Sequence, residues 1–341
     1  MSITATEIVL PGKVEPEGLQ TRERKVPNPG KGQVLVRMEA TGVSFAEQQM
    51  RRGKYYDQPA FPFVPGYDLV GTVEAAGPEV EPRLVGRRVA ALTKVGAWST
   101  HMVLDANTVV PVPDGLDAAD AETVVVNGIT AWQMLHRSAR VREGQTILVL
   151  GANGGVGSTL VQLARAAGIR VIGTASPRHH EKVAALGAIP LDYRAKDLPA
   201  QVRALAPNGV DAVFDHVGGA GIVDSFRLLA PGGALVSYGT AATRDQEGSS
   251  RLPVLKLFGR LMVWNVLPNR RRASFFNIWT GVRNAAKFHA RLRQDLTEVF
   301  TLLADGTLHP QVAAQIPLAE AAKAMRLAES GTVTGKVVLI P

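Results

Sequence analysis

Residues 147–157 read ILVLGANGGVG, an apolar run followed by four glycines within seven positions. Gly151, Gly154 and Gly157 fall at a G-x-x-G-x-x-G spacing, with Gly155 between them. Missing side chains let a backbone turn tightly and approach a pyrophosphate, whose charge is then held at a helix N-terminus. The alternative is an ordinary strand–helix turn that uses glycine only for its positive φ. Context separates the two readings. QTILVL (145–150) reads as a buried strand, and residues 155–167 place Val156, Leu160, Leu163, Ala164 and Ala167 on one helical face. Strand, glycines and helix in that order point to dinucleotide binding.

The next stretch bears on which dinucleotide. An NAD site carries an acidic residue about 20 positions on, which accepts a hydrogen bond from the ribose 2′-hydroxyl. Here RVIGTASPRHHEK (170–182) has no carboxylate before Glu181 and offers Ser176 and Arg178 instead. A hydroxyl and a guanidinium suit a 2′-phosphate, which an acid would repel. The same residues also read as a helix start, with Ser176 as N-cap and Pro177 in the first turn.

Other chemistries are excluded by composition. The 341 residues contain no cysteine, which removes disulfides, iron–sulfur clusters, thiolate zinc sites and thiol nucleophiles. The formal charge of +8 is spread along the chain apart from Arg270, Arg271 and Arg272, so a basic surface or an anionic ligand is favoured over nucleic acid. No secretory signal and no membrane-spanning apolar run is read, and the expected location is cytoplasmic.

The elements that must position these residues differ along the chain. The first ~120 residues read as a small irregular β-barrel, with strands in 32–44, 68–80, 86–93 and 97–107 punctuated by Pro, Gly and Asp. A helix-compatible stretch covers 118–138. Strands at 145–150, 170–175, 211–217 and 234–239 then alternate with helices, the pattern of a parallel sheet covered on both faces. Residues 253–279 are apolar, aromatic and basic together. Leu257, Phe258, Leu261, Trp264 and Val266 are read there as a cover for a hydrophobic cleft or a subunit contact, with a membrane surface or plain core as alternatives. A helix around 285–304, another near 318–330 and a closing strand follow.

Several segments together resemble the medium-chain dehydrogenase/reductase superfamily, most closely its zinc-independent, zeta-crystallin-like quinone oxidoreductase branch. They are GVSFAEQQMRRGKYY (42–56), PFVPGYDLVGTVEAAGPEV (62–80), NGITAW (127–132), the glycine loop, GVDAVFDHVGG (209–219) and GTVTGKVVLIP (331–341). The resemblance implies an α/β protein with a GroES-like irregular β-barrel catalytic domain (1–122 and 267–341) and a doubly wound parallel-sheet Rossmann domain (123–266). It also implies a homodimer. Zinc-dependent relatives carry Cys, then His-Glu, where this chain has Ser44, Tyr67 and Asp68. The neutral side chains of Ser44 and Tyr67 are poor zinc ligands compared with thiolate and imidazole, so no metal is expected.

By the same resemblance, NADPH is contacted by Thr130, by Gly151, Asn153, Gly154, Gly155, Val156 and Gly157 around the pyrophosphate, and by Thr174, Ser176, Arg178 and Tyr193 toward the adenosine 2′-phosphate, although Tyr193 reads equally as a packed surface aromatic. Val217, Tyr238 and Gly239 follow the later strands. Ser44, Tyr55 and Tyr67 are the implied catalytic side, with Tyr56 able to exchange roles with Tyr55. Asp68 reads more simply as a loop-holding acid than as a catalyst. The implied activity is hydride transfer from NADPH to a hydrophobic small molecule, a quinone or related activated carbonyl. An alkenal or enoyl double-bond reductase is the alternative within enzymes. A non-catalytic NADPH-binding protein on a membrane surface or RNA is the alternative outside them.

Overall fold

The computed structural model describes residues 3–243 and 251–341, excluding the side chains of 243 and 251–254. The first elements are β1 (Ile3–Val9), β2 (Gln20–Val26), β3 (Gln33–Val43), α1 (Phe45–Arg51), β4 (Asp68–Ala76), β5 (Arg88–Leu92), β6 (His101–Asp105), β7 (Val109–Pro111), α2 (Ala118–Thr123) and α3 (Val125–Trp132). Next come β8 (Thr146–Val149), α4 (Gly155–Ala166), β9 (Arg170–Ala175), α5 (His180–Ala185), β10 (Ala188–Asp192), α6 (Leu198–Leu205), β11 (Val210–Asp215), α7 (Ile222–Arg227) and β12 (Leu229–Ser237). The last are α8 (Arg251–Val266), β13 (Arg272–Phe275), α9 (Ala285–Ala304), β14 (Val312–Pro317), α10 (Ala321–Glu329) and β15 (Lys336–Ile340). Among the described residues no helix is long and apolar enough to cross a membrane.

The chain divides into two compact units, Met1–Ile129 with Gly281–Pro341, and Thr130–Thr280. Both crossings lie later than the 122/123 and 266/267 boundaries expected from sequence. The second moves because β13 pairs in parallel with β12, from Ala234–Arg272 to Ser237–Phe275, so 272–275 belongs to the nucleotide-type sheet. The first moves because the start of α3 is tied to the barrel: Val126 N donates to Asp68 Oδ2 at 2.9 Å.

In the first unit the sheet order is β14-β15-β3-β4-β5-β7, with β6 also on β3. All its pairings are antiparallel except β14–β15. Alternation along β3 sends Val34, Val36 and Met38 into one core with Leu69, Val73, Trp98 and Val337. Each such side chain contributes about 1.5–3 kcal/mol when fully buried. Trp98 is satisfied as well as buried, since its Nε1 donates to Gly42 O at 2.9 Å.

In the second unit the strand order is β10-β9-β8-β11-β12-β13, and every pairing is parallel. Numbered within the unit, that is 3-2-1-4-5-6, the doubly wound order whose ligand crevice opens at the carboxyl ends where the order reverses, here between β8 and β11.

Helix α8 corrects the cover reading for Leu257, Leu261 and Trp264, which pack as core. Leu257 and Leu261 are buried in the sheet's own core with Ala273, and Trp264 stacks on Phe226 with ring centroids 4.2 Å apart. Phe258 and Val266 are exposed. The sequence ran these faces together because the helix has apolar residues on both. Pro253 and Val254 lie outside the described side chains.

Candidate functional site

The glycine loop supplies the nucleotide side. Gly151 has φ +69°, and a Cβ there would lie 2.3 Å from the His216 ring. At Gly157 a Cβ would meet Gly151 O at 2.2 Å, so a side chain would separate helix from strand. Gly154 differs: its nearest neighbour is Gly151 O at 3.4 Å, which leaves its solvent side open to a ligand. Gly154 is also the N-cap of α4 and contributes no side chain there. Asn153, Gly155 and Val156 are half-buried and Gly157 is buried. The loop is anchored from β9, with Gly151 N donating to Thr174 Oγ1 at 3.1 Å and Ala152 N to Thr174 O at 2.9 Å. Thr174 therefore holds the loop from beneath.

Ser176 follows β9 directly. It occupies the N-cap of the turn Pro177–His179, yet its side chain makes no capping bond. Its Oγ is buried and has no hydrogen-bond partner. The helix-start reading therefore leaves the hydroxyl unused, whereas a phosphate oxygen would satisfy it. Arg178 is exposed nearby in sequence. Tyr193 comes to the same strand end, its N donating to Ala175 O at 3.3 Å. The exposed ring carries Arg194, which donates from Nε to the Tyr193 hydroxyl at 2.9 Å and lies 5.1 Å over the ring.

After β11, buried Asp215 organises the turn by accepting from Val217 N and Gly218 N, each at 2.8 Å, and from Ser225 Oγ at 2.8 Å. Val217 O accepts from Ala242 N at 2.9 Å, so both backbone groups of Val217 are used within the turn. Gly239 lets its backbone pass His216, since a Cβ would lie 2.7 Å from His216 O. Tyr238 donates its backbone N–H to Asp215 O at 2.9 Å. Burial, with Asp215 adding to it, pushes the Tyr238 phenol above its ordinary range, so it stays a neutral donor. Thr130, in α3, is buried.

His216 follows β11 and packs beside the glycine loop. Its Nδ1 lies 3.0 Å from Leu150 O, an acceptor only, so Nδ1 carries the proton and neutral Nε2 keeps a lone pair. Burial lowers its pKa against the opposing pull of Asp215, which favours that neutral form.

The barrel side is built on the short helix α1. Ser44 is its N-cap in a reciprocal capping box with Glu47. Ser44 N donates to Glu47 Oε2 at 2.9 Å, Ser44 Oγ donates to the same carboxylate, and Ala46 N donates to Ser44 Oγ at 3.1 Å. The hydroxyl proton of Ser44 is thus committed, and a lone pair is what it retains for a ligand. Glu47 also accepts from Tyr67 N at 2.7 Å. Burial raises the Glu47 pKa, and the Ser44 hydrogen bond opposes it. Glu47 was absent from the sequence reading, although the S-x-x-E pattern at 44–47 was there to find it.

Tyr55 and Tyr67 come together, with hydroxyls 2.7 Å apart and rings edge-on at 83°. The Tyr55 hydroxyl also lies 3.4 Å from that of Tyr56. Tyr67 is set by Gly66, which has φ +109° and where a Cβ would lie 2.4 Å from Trp98 N, so both features require glycine.

Asp68 belongs to a buried cluster rather than to the tyrosines. Lys336 Nζ donates to Asp68 Oδ2 at 2.8 Å and to Glu122 Oε1 at 2.6 Å, all three side chains being 2% exposed or less. Burial alone would lower the Lys336 pKa, but the two carboxylates raise it, so the ammonium persists. Burial first, then the charge of Asp68, raises the Glu122 pKa well above its ordinary value. Asp68 Oδ1 and Glu122 Oε2 each lack a donor when both groups are ionised. A proton on Glu122 hydrogen-bonds the two carboxyls and makes the cluster neutral. Gly42 makes the space: a Cβ there would lie 2.0 Å from Lys336 Cε and 2.6 Å from Glu122 Oε1. No sequence pattern linked these residues, which are more than 200 positions apart at the extremes.

A GroES-like unit and a parallel-sheet dinucleotide-type unit with this loop define a two-domain dehydrogenase or reductase. Residues 30–114 match the alcohol dehydrogenase GroES-like domain and residues 186–339 the zinc-binding dehydrogenase family. The chain belongs to the medium-chain dehydrogenase/reductase superfamily. It is 31% identical over 333 residues to the synaptic vesicle membrane protein VAT-1 homolog of Rattus norvegicus, covering 95% of this chain and 80% of that one. Against the Danio rerio VAT-1 homolog it is 31% identical across 90% of this chain, which spans 64% of that relative's length. A mycocerosic acid synthase-like polyketide synthase of Mycobacterium tuberculosis is 32% identical over 95% of this chain, but only 15% of that protein is matched. Among solved structures, a mycobacterial protein complexed with NADPH superposes with TM-score 0.83 at 28% identity, covering 99% of this chain and 100% of that one. A Pseudomonas syringae pv. Tomato DC3000 quinone oxidoreductase superposes with TM-score 0.83 at 30% identity and the same coverage.

The family description names zinc, and the donor set here does not fit it. Ser44 is bound into its helix cap, Tyr67 pairs with Tyr55, and Asp68 pairs with an ammonium.

Proposed function

We propose that this protein is an NADPH-dependent, zinc-independent oxidoreductase that delivers hydride to a quinone or a related activated carbonyl acceptor. The observation that carries the cofactor half is Ser176 Oγ, buried and unpartnered at the end of β9, where an NAD site needs an acid. The open face at Gly154 suits the pyrophosphate, and Thr174 holds that loop rigid. The NADPH complex of the mycobacterial neighbour supports the same reading. Bound NADPH supplies the hydride. The chain's own work is to hold the dinucleotide through the glycine loop, Ser176 and Arg178, and to orient the acceptor oxygen with phenols from Tyr55 and Tyr67. With no Lewis-acid ligand set, an acceptor already activated toward hydride fits better than an alcohol. The quinone oxidoreductase among the structural neighbours favours the quinone.

A second acceptor class, the double bond of an alkenal or enoyl thioester, is favoured by the similarity to a polyketide synthase segment. Purified protein should oxidise NADPH when quinones are added, with turnover unchanged by chelator. A side-by-side series of quinones and enones assigns the acceptor by kcat/KM, and inertness toward both would sink the proposal.

A further inference from the structure

Helix α8 is fastened to the second unit along one face. Leu257 and Leu261 enter the sheet core and Trp264 stacks on Phe226. Asn265 closes its amide on β13, with Nδ2 donating to Ala273 O at 2.7 Å and Oδ1 accepting from Ala273 N at 2.9 Å. The opposite face is apolar too, and core packing does not account for it. Leu255, Met262 and Val266 stand at i, i+7 and i+11, so they share one stripe. They are 67%, 70% and 85% exposed, which makes the stripe a solvent face rather than a core margin. Exposed Val263 and Leu267 widen it at the end of the helix. A contiguous row of large aliphatic side chains marks an interaction surface, where scattered ones would not.

Charge indicates what the stripe meets. No Asp or Glu occurs between Glu247 and Asp295. Lys256 and Arg260, both exposed, lie one helical turn apart on the flank of the stripe, and exposed Arg270 and Arg272 follow the helix. Arg260 approaches Gly219 O at 3.5 Å and Arg272 approaches Ala139 O at 3.3 Å, so neither charge is neutralised by these contacts. A second copy laid on this face about a twofold axis would bring like cations together. A nucleic acid would answer the cations but leave the aliphatic side chains in water. An anionic bilayer surface answers both, with acyl carbon for the stripe and headgroup phosphate for the cations. We propose that the α8 face docks this protein on anionic phospholipid, the helix lying in the plane of the interface without crossing it. Because β13 and the sheet core already hold the helix, docking adds no cost of folding it.

The test sediments the full chain with vesicles of phosphatidylcholine, alone or with about a third phosphatidylserine. Wild type should prefer the anionic vesicles by about tenfold or more and lose that preference as salt rises. Lys256→Gln/Arg260→Gln should weaken anionic binding about 25-fold, or about fivefold for each cation. Met262→Gln/Val266→Gln should weaken it by about tenfold or more, since the buried apolar area goes. Each substituted position is exposed, so both variants should melt with wild type, which separates a lost surface from a lost fold. Equal binding to the two vesicle types, or variants that bind as wild type does, would overturn the proposal. Light scattering that shows a wild-type dimer and a monomeric Met262→Gln/Val266→Gln would also overturn it, because a second copy would then cover the stripe. Vesicle binding is read without turnover, so none of these results bears on the reductase reading.

Discussion

Replacing Lys336 by methionine removes one ammonium from between two buried carboxyls and leaves the stem nearly unchanged in volume. In the native unit that ammonium lies 2.8 Å from Asp68 Oδ2 and 2.6 Å from Glu122 Oε1. With it gone, the Val126 N–H at 2.9 Å and the Glu122 proton are the donors Asp68 keeps. Removing one partner of a buried ion pair costs about 3–5 kcal/mol, because the other charge stays in place without compensation. We take ~3 kcal/mol at neutral pH, since the retained donors soften the loss. For a unit of this size that is a fall of about 6–12 °C in the melting of the barrel. The two carboxyls would escape part of the cost by taking up a proton, so the loss should be larger at pH 8 than at pH 5. Scanning calorimetry of wild type and Lys336→Met at both pH values reads this directly. A shift under about 2 °C at pH 8, or one independent of pH, would refute the picture of a cluster balanced by one ammonium and one shared proton.

Three further outcomes follow from the same geometry. The raised Glu122 pKa means the folded chain binds a proton that the unfolded chain releases above about pH 4.5. That contribution to stability is present below pH 4.5 and lost as pH rises, so Glu122→Gln, a neutral isostere, should gain on wild type from pH 5 to pH 8 in calorimetry. Gly42→Ala would drive a methyl into Lys336 Cε at 2.0 Å, where the ammonium is held by Asp68 and Glu122. A loss of about 1–3 kcal/mol is expected in thermal melts. Ser176→Ala should weaken NADPH about tenfold, one charge-assisted hydrogen bond, and leave NADH affinity unchanged by calorimetric titration.

The nucleotide half was more legible in the sequence than the barrel half, for physical reasons. Strands β8 and β9 are buried on both faces and read as continuous apolar runs, and the glycines between β8 and α4 mark a turn that local sterics dictate. Strand β13 was missed because RASF is short and polar, and it becomes a strand by pairing with β12. The hairpin β1–β2 was missed because QTRERKV is exposed along most of its length and lacks a clean apolar alternation. In the barrel half Tyr55 and Tyr67 were visible as residue types, but their 2.7 Å contact depends on Gly66 and on α1 folding through its capping box. Lys336 and Glu122 were invisible, because a lysine in GKVVLIP reads as a solvated strand end until β15 is seen beside β3. Leu257 and Leu261 were misjudged, since an apolar helix with two faces does not announce which one packs.

The central claim is metal-free hydride transfer from NADPH by this chain. It is tested most directly by supplying NADPH deuterated at the transferable position of nicotinamide C4, with a quinone or enone, in chelator-treated buffer. One deuterium is predicted to leave the cofactor for every acceptor reduced, with a primary isotope effect on turnover and the same rate before and after chelation. Oxidised cofactor that keeps its deuterium, or a rate that collapses on chelation and returns with zinc, would contradict the account.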